Sequence, residues 1–227
     1  MTFRSAIRIL TVLLAAGISF AFAEEASSQP ESKTTETGVK ADASDPASRL
    51  LNISNFKTLR TKFVQTKHLK AFKKPMVLNG ELCLDRVGKR FAWHVEKPLR
   101  YSCVIAGGKL SQWDEDSDKT VSLPLSKYPM LEMLSGAMTA FASGDAKALE
   151  QDFEAAPGKD GSILLKPRSE RFAASVISEV ELFLDDARTQ IVKVRASEQS
   201  GDVTELVYSD PVFDSEIPDS LWQAKRK

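Results

Sequence analysis

The chain has 227 residues, of which 42% are hydrophobic, and it carries 31 basic and 31 acidic side chains. This neutral balance gives no support for nucleic-acid binding, because proteins that bind nucleic acids usually present a basic surface. Removing a leader that contains Arg4 and Arg8 takes the basic count from 31 to 29, which leaves a net charge of −2 against 31 acidic side chains.

The first 23 residues have the features of a secretory signal peptide. Arg4 and Arg8 form a basic start, residues 9–20 form an apolar run, and Ala21-Phe22-Ala23 is a small-x-small cleavage site. The apolar run is shorter than a membrane-spanning helix of roughly 20 residues. We predict cleavage after Ala23 and export to the periplasm; an uncleaved membrane anchor is the alternative. No cysteine lies at the cleavage point, so the mature protein is not expected to be lipidated itself.

Residues 24–46 are rich in Ser, Thr, Glu, Lys and Ala, and Val39 is their only large aliphatic residue. Such a segment cannot bury enough apolar area to offset its ordering entropy, which predicts a disordered tether. Residues 47–227 fit a single domain. This domain is predicted to begin with a short helix over residues 46–54 that carries Leu50, Leu51 and Ile53.

Alternating apolar and polar residues predict antiparallel strands through most of the domain. The first strand spans residues 59–69 and places Leu59, Thr61, Phe63 and Gln65 on one face. A meander follows, with apolar positions at residues 82 and 84, then 91, 93 and 95, then 101, 103 and 105. Further strands are predicted at residues 109–114, 119–123, 163–165, 176–184, 190–198 and 203–209, with turns at 107–108, 185–186 and 200–201.

Residues 128–141 change to helical spacing, with Met130, Leu134 and Met138 on one stripe. Gly144 is predicted to end this helix, and Asp145 to cap a second helix that runs to Glu150. The pattern as a whole predicts a mainly β (α+β) fold, in which one strongly curved antiparallel sheet has its concave face covered by a few helices.

Cys83 and Cys103 are the two cysteines of the chain. In a meander they lie two strands apart, at about 9.5 Å, which exceeds the span of a disulfide. Their parities also place them on opposite faces of the sheet. The prediction is therefore two unbridged thiols, provided that these strands do form a meander.

The sequence gives little support for catalysis. It contains no Gly-x-Ser-x-Gly motif, and its two histidines, His68 and His94, are predicted to be solvated strand residues. Two isolated histidines and two strand cysteines do not make a tetrahedral metal set. Residues 114–118 are acidic but lack the glycine and terminal glutamate of a helix-loop-helix calcium site, so a polar hairpin tip is expected. We expect neither an enzyme nor a cofactor nor a metal site.

Several of these segments carry a family resemblance. They are FAWHVEKP at residues 91–98, Gly80-Glu81-Leu82 with Arg86, residues 107–110, Phe63-Val64-Gln65 and residues 201–204. Together they resemble the periplasmic lipoprotein carrier (LolA) family from about residue 46 to residue 222. The resemblance implies an incomplete β-barrel with a helical lid over a hydrophobic cavity.

The resemblance also implies a role for Arg86, which matches the arginine that holds the unloaded cavity of this family shut. Here Val87 follows it, where the family usually has proline, and a plain hairpin-end cation is the alternative. Methionine side chains repack around ligands of varied shape, which favours a lipid-contacting lid helix over ordinary core for residues 128–141. The predicted lipid-binding residues are Phe63, Leu82, Phe91, Trp93, Met130, Met133, Leu134 and Met138.

The function predicted on these grounds is that of a monomeric periplasmic carrier. It would shield the acyl chains of lipoproteins between an inner-membrane releasing complex and an outer-membrane acceptor. One alternative is a carrier of another lipid, such as a glycolipid or a polyene product. Another is a module on the same scaffold that senses lipids or mislocalised lipoproteins and regulates a membrane partner.

Overall fold

The computed structural model describes residues 56–128, 136, 139–140, 145–171 and 173–226. Its strands are β1 (Thr58–His68), β2 (Met76–Asp85), β3 (Arg90–Lys97), β4 (Tyr101–Ala106), β5 (Lys109–Asp114), β6 (Lys119–Pro124), β7 (Phe153–Pro157), β8 (Ile163–Pro167), β9 (Ile177–Leu184), β10 (Ile191–Glu198) and β11 (Val203–Phe213). They form one antiparallel sheet in the order β6-β5-β4-β3-β2-β1-β11-β10-β9-β8-β7.

The sheet is open, and its two edge strands are β6 and β7. This architecture confirms the predicted mainly β fold with an incomplete barrel. The chain between the two edge strands, residues 125–152, is the insertion in which the sequence predicts a lid. Topology alone therefore makes this insertion run from one edge of the open sheet to the other.

The face predicted for β1 is confirmed. Leu59, Thr61, Phe63 and Gln65 are all buried on one side of the strand, while the intervening residues are exposed or half-buried. We call this side of the sheet the inner face, because its apolar residues form the main hydrophobic cluster of the molecule. An alternating strand buries one row of side chains, and that row drives the sheet to fold.

The predicted meander of β2, β3 and β4 is also confirmed, with Leu82 opposite Trp93 and Trp93 opposite Cys103. Cys103 belongs to the inner face, and Cys83 packs on the opposite, outer face. Both thiols are free and buried, as the parity argument predicts. Burial raises the pKa of each thiol to about 12, so neither is a reactive thiolate at neutral pH.

The strands in the second half of the chain differ from the prediction in two places. β7 was not predicted, because its central residues Ala155 and Ala156 have a weak preference for strands. β11 continues past the predicted end to Phe213, although it contains Pro211. The register between β1 and β11 shifts at this point, and such a bulge tolerates a proline that has no N–H to donate.

The predicted second helix is confirmed as α1 (Ala146–Asp152). Asp145 is its N-cap, and its carboxylate accepts a hydrogen bond of 3.2 Å from the backbone N–H of Ala148. A further short helix, α2 (Ala173–Val176), precedes β9. The predicted helix at 46–54, most of the helix at 128–141, its stop at Gly144, and the leader and tether lie outside the described residues.

A C-terminal strap, residues 214–226, covers the outer face of β2–β4. Its Ile217, Leu221 and Ala224 pack in an outer cluster with Cys83, Ala92, Val104 and Trp113. A short 3₁₀ turn over Asp219–Trp222 lets the strap follow the sheet. Strands β2 and β3 are consequently buried on both faces along most of their length.

His94 corrects one prediction. Parity places it on the face opposite Phe91 and Trp93, as expected, but the imidazole is fully buried rather than solvated. Its Nε2 lies 2.8 Å from the carbonyl oxygen of Leu221, and its Nδ1 lies 2.8 Å from the Ser102 hydroxyl. Burial lowers the pKa of His94 to about 4, which keeps the ring neutral under the strap. The other histidine, His68, is exposed at the end of β1 as predicted.

Candidate functional site

Four predicted lipid-binding residues come together on the inner face. Phe63, Leu82, Phe91 and Trp93 all belong to the inner cluster, and each is no more than 2% exposed. Cross-strand pairing builds this cluster, since each strand contributes one residue to a row that crosses the sheet. Predicted Met130, Met133, Leu134 and Met138 lie outside the described residues.

Phe63 and Trp93 form an aromatic stack that the sequence did not predict. Their ring centroids are 3.8 Å apart and their planes are 21° from parallel. The residue that permits the stack is Gly80, which pairs with Phe63 across β1 and β2. A Cβ at Gly80 would lie 2.6 Å from the Phe63 ring and closer still to the carbonyl oxygen of His94. Gly80 is therefore required by the close approach of a ring and a neighbouring strand.

An open groove with a cavity volume of about 90 Å³ lies at the end of the inner face where β1 begins. Its described lining residues are Phe56, Leu59, Thr61, Leu82, Gln190, Ile191, Val192, Tyr208, Pro211 and Phe213. Leu82 is the predicted lipid-binding residue among them. Phe63, Phe91 and Trp93 belong to the same cluster as Leu59 and Leu82 but are not among the described residues that line the groove.

The lining residues that sequence reasoning missed come mainly from β10, β11 and the start of β1. Leu59 shares the parity of Phe63, and that signal could have identified it. Phe213 lies beyond the predicted end of its strand, so no pattern marked it. Its ring packs 5.3 Å from that of Phe56, centroid to centroid, and this aromatic pair forms one wall of the groove.

Arg86 lies beside this wall. Its backbone N–H donates to the carbonyl of Lys57, and its Nη1 donates to the carbonyl of Phe56 at 3.3 Å. Its guanidinium lies 5.7 Å from the Phe56 ring centroid. The other arm of the guanidinium reaches Asp145, with Nη2 3.7 Å from the carboxylate. Arg86 thus connects the groove wall to the N-cap of the helix that ends the insertion.

The inner face also holds polar groups that are buried. The indole N–H of Trp93 and the hydroxyl of Tyr101 complete no hydrogen bond within the described residues. Burial raises the pKa of Tyr101, although the nearby Trp93 acts in the opposite direction. Burial likewise raises the pKa of Tyr208, which lines the groove. These hydroxyls stay neutral, so the part of the inner face around Tyr101 and Tyr208 is uncharged but has hydrogen-bonding groups.

Lys67 extends the buried face of β1 by one more position. Its side chain is 5% exposed, and burial lowers its pKa to about 8. The negative charges of Glu198 and Asp202 act in the opposite direction and retain the proton at neutral pH. The sequence analysis did not predict a buried lysine here, although its parity with Phe63 and Gln65 was visible.

Two features of the described residues bear on other functions. None of the helices in the described part of the chain is long and apolar enough to cross a membrane. Within the same residues, His, Cys, Asp and Glu side chains form no group of three that could hold a metal ion. The acidic residues 114–118 form the β5–β6 hairpin tip, as predicted.

The fold and site define an open, mainly β half-barrel with an apolar groove on its inner face. A family model described as "Outer membrane lipoprotein carrier protein LolA" matches residues 54–225. The chain belongs to this family. The match covers every strand of the sheet and the C-terminal strap up to Lys225, so it includes both faces described above.

Individual relatives are distant. An outer-membrane lipoprotein carrier protein of Legionella pneumophila (strain Corby) is 22% identical over 147 residues, which are 65% of this chain and 69% of the relative. A protein of the same name from Pseudomonas fluorescens (strain Pf0-1) is 26% identical over 132 residues, 57% of this chain and 61% of the relative.

Solved structures are similar at low identity. A LolA superfamily protein from Nitrosomonas europaea has a TM-score of 0.41 and 13% identity, with 79% of this chain and 97% of that chain covered. The Pseudomonas aeruginosa MucA/MucB complex structure gives a TM-score of 0.45 and 14% identity, with 82% and 62% covered. At TM-scores below 0.5, these similarities say nothing about function.

Proposed function

We propose that this protein is a periplasmic carrier that shields acyl chains in the groove of its inner face. The acyl chains of lipoproteins are the first cargo that we propose. The observation that supports the proposal is the groove itself, which is largely apolar and is bordered by the hydrophobic cluster of the inner face. The groove volume of about 90 Å³ is below the roughly 300–1,000 Å³ of typical ligand clefts, so cargo uptake in this proposal requires the groove to widen. The family to which the chain belongs is named for the carriage of outer-membrane lipoproteins.

The energetics suit a carrier. Each methylene removed from water contributes about 0.8 kcal/mol, so an acyl chain with roughly fifteen methylenes gains about 12 kcal/mol on leaving water. A carrier must match that gain and still release its cargo. An open groove with neutral polar groups such as Thr61 and Tyr208 can provide such a balance, because part of the ligand surface stays hydrated.

The insertion between β6 and β7 supplies a lid in this proposal. It connects the two edge strands of the open sheet, and in this proposal it crosses the opening of the inner face. Met130, Met133, Leu134 and Met138 are the residues through which the lid would contact acyl chains, since unbranched methionines adapt to varied shapes. Arg86 would hold the empty state through Asp145 and Phe56, which supports the latch role over that of a plain hairpin cation.

Transit through the periplasm requires the export signals read from the sequence. Residues 1–23 would be removed, residues 24–46 would form a tether, and residues 47–227 would form the carrier domain. The donor would be an inner-membrane releasing complex and the acceptor an outer-membrane component. Binding, rather than catalysis, is the activity proposed.

The test is a fluorescent fatty-acid titration of the processed protein. Leu134→Glu and Met133→Glu should each abolish probe binding and leave the unfolding transition of the sheet nearly unchanged. Val87→Glu is the matched control, because Val87 is an exposed apolar residue in the β2–β3 turn. Unchanged probe affinity in folded Leu134→Glu protein would contradict the lid.

Native mass spectrometry of protein purified from periplasm identifies the cargo. A co-purified lipoprotein or lipopeptide supports the lipoprotein carrier, and a different lipid supports the alternative cargo within the same carrier role. A preparation that neither contains lipid nor takes up the probe would overturn the proposed function.

A further inference from the structure

The connection between β1 and β2 combines exposed apolar and basic residues. Residues 69–77 read LKAFKKPMV and contain three lysines and no acidic residue. Phe72 is 66% exposed, and Met76 and Val77 are 47% and 44% exposed. Lys70, Lys73 and Lys74 are exposed beside them. We call residues 69–77 the basic hairpin.

The basic hairpin has a fixed base and a projecting tip. The backbone N–H of Lys70 donates to the carboxylate of Asp202 at 2.8 Å, and the N–H of Phe72 donates to the carbonyl of Leu69 at 2.9 Å. The far end of the Lys70 side chain, its Nζ and Cε, lies against Gly201, so the hairpin contacts the β10–β11 turn. Phe72 is thus presented to solvent by a tied turn.

A phenylalanine that is exposed among lysines matches a particular kind of partner surface. Aromatic and aliphatic side chains favour the boundary between headgroups and acyl chains, and lysines beside them are attracted to anionic headgroups. An acidic protein surface would satisfy the lysines, but it would leave Phe72, Met76 and Val77 to find an apolar pocket. A lipid surface satisfies both kinds of side chain at once.

We propose that the basic hairpin is a membrane-docking element, which seats Phe72 below the headgroups of an anionic bilayer while Lys70, Lys73 and Lys74 contact the headgroups. The hairpin lies at the opposite end of β1 from the groove wall formed by Phe56, so docking leaves the groove unobstructed. The proposal does not depend on the cargo or on the lid.

The experiment measures partition of the processed protein, with its N terminus verified by mass spectrometry, onto vesicles. The vesicles are phosphatidylcholine with roughly one-third phosphatidylglycerol, compared with phosphatidylcholine alone. The wild-type protein should bind the anionic vesicles, and this binding should weaken steeply as the salt concentration is raised. The triple change K70Q, K73Q and K74Q should lower partition by about 100-fold, at roughly fivefold for each lysine.

Phe72→Ser tests the apolar half of the proposal and should lower partition roughly tenfold, whereas Phe72→Trp should retain binding. Val87→Ser is its control, being an exposed apolar residue at the other end of β2. The charge-matched control is the triple K57Q, K109Q and K127Q, which removes three exposed lysines away from the hairpin. Both controls should stay within about twofold of wild type.

Three results would overturn the proposal. One is the failure of the wild-type protein to bind anionic vesicles at low salt. The same failure is expected if the hairpin docks on an acidic protein. Another is wild-type partition of the Phe72→Ser variant onto anionic vesicles. The last is a loss of partition in the triple control variant that is as large as the loss in the triple hairpin variant, because binding would then follow net charge alone. Probe uptake by the groove is measured separately, so failure here leaves the proposed function standing.

Discussion

The two faces of one sheet are completed in different ways. On the outer face, the strap places Leu221 and Ala224 on β2–β4 and buries His94 with both ring nitrogens hydrogen-bonded. On the inner face, the cluster around Trp93 borders an open groove that no described segment fills. Among the described residues, the strap covers the outer face of β2–β4, whereas the inner face keeps an open groove.

This difference separates stability from function within one set of strands. The strap is fastened by charge as well as packing: Lys225 pairs with Asp118 at 2.7 Å, and Arg90 lies 4.4 Å from the Trp222 ring centroid. Exposed ion pairs contribute little individually, so the buried apolar contacts carry most of the effect. A face closed in this way fixes the sheet, and in the proposed function it is the other face that exchanges ligand.

The largest effect is expected from a substitution at the tightest contact of the inner face. Gly80→Ala should lower the free energy of unfolding by about 3 kcal/mol, because the added Cβ meets the Phe63 ring and the neighbouring backbone. Urea unfolding measures this change. Gly136→Ala is the control, since a Cβ there meets no atom of the described residues within 4 Å. Equal stability of Gly80→Ala and wild type would show that the stack is not as close as described.

An acid titration tests the closure of the outer face. His94 has its pKa lowered to about 4, so between pH 6.5 and 4 the unfolded chain binds a proton that the folded protein excludes. Stability from this group is therefore present above pH 6.5 and is lost as pH falls through 4, by up to on the order of 3 kcal/mol.

Urea unfolding at several pH values checks this contribution. His94→Gln should lose most of that part of the pH dependence, whereas the exposed control His68→Gln should keep it. A His94→Gln protein with the wild-type pH profile would mean that the strap is not what keeps the imidazole neutral.

Adjacent residues of β11 sharpen the contrast between groove and outer surface. Phe213 lines the groove, and Val212, its neighbour, is exposed on the other side of the strand. Phe213→Ser should weaken fatty-acid probe binding about tenfold through lost apolar contact, whereas Val212→Ser should leave it unchanged. Titration of both variants measures the effect. Equal probe affinities for the two variants would place the acyl site elsewhere on the inner face.

The smallest expected effect concerns Arg86. Its contact with Asp145 is long and partly exposed, so Arg86→Leu should change stability by less than about 1 kcal/mol. Cargo uptake should remain, and release to an acceptor should slow, because the empty closed state loses a contact that the loaded state lacks. Transfer assays compare it with Arg168→Leu, which removes a surface pair with Glu154. Identical release rates in the wild type and Arg86→Leu would show that Arg86 is a plain hairpin residue without a latch role.

Local pattern was sufficient for much of the fold. Parity alone placed Phe63, Leu82, Phe91 and Trp93 on one face, predicted the meander and separated the two cysteines. Helix capping chemistry located Asp145. The prediction failed at β7, where two alanines give no alternation signal, and at Phe213, where Pro211 hid the continuation of the strand. The lid residues around Met133 remain predictions.

By itself, the sequence determined the class of fold and the side of each strand that is apolar, because a period of two is a local property of the chain. It could not determine what covers each side, because that depends on segments distant in the chain. The solvated position predicted for His94 was wrong for this reason, since Leu221 reaches it from 127 residues away. The groove likewise exists only where β1, β10 and β11 meet, so only the tertiary structure decided which apolar residues became core and which line the groove.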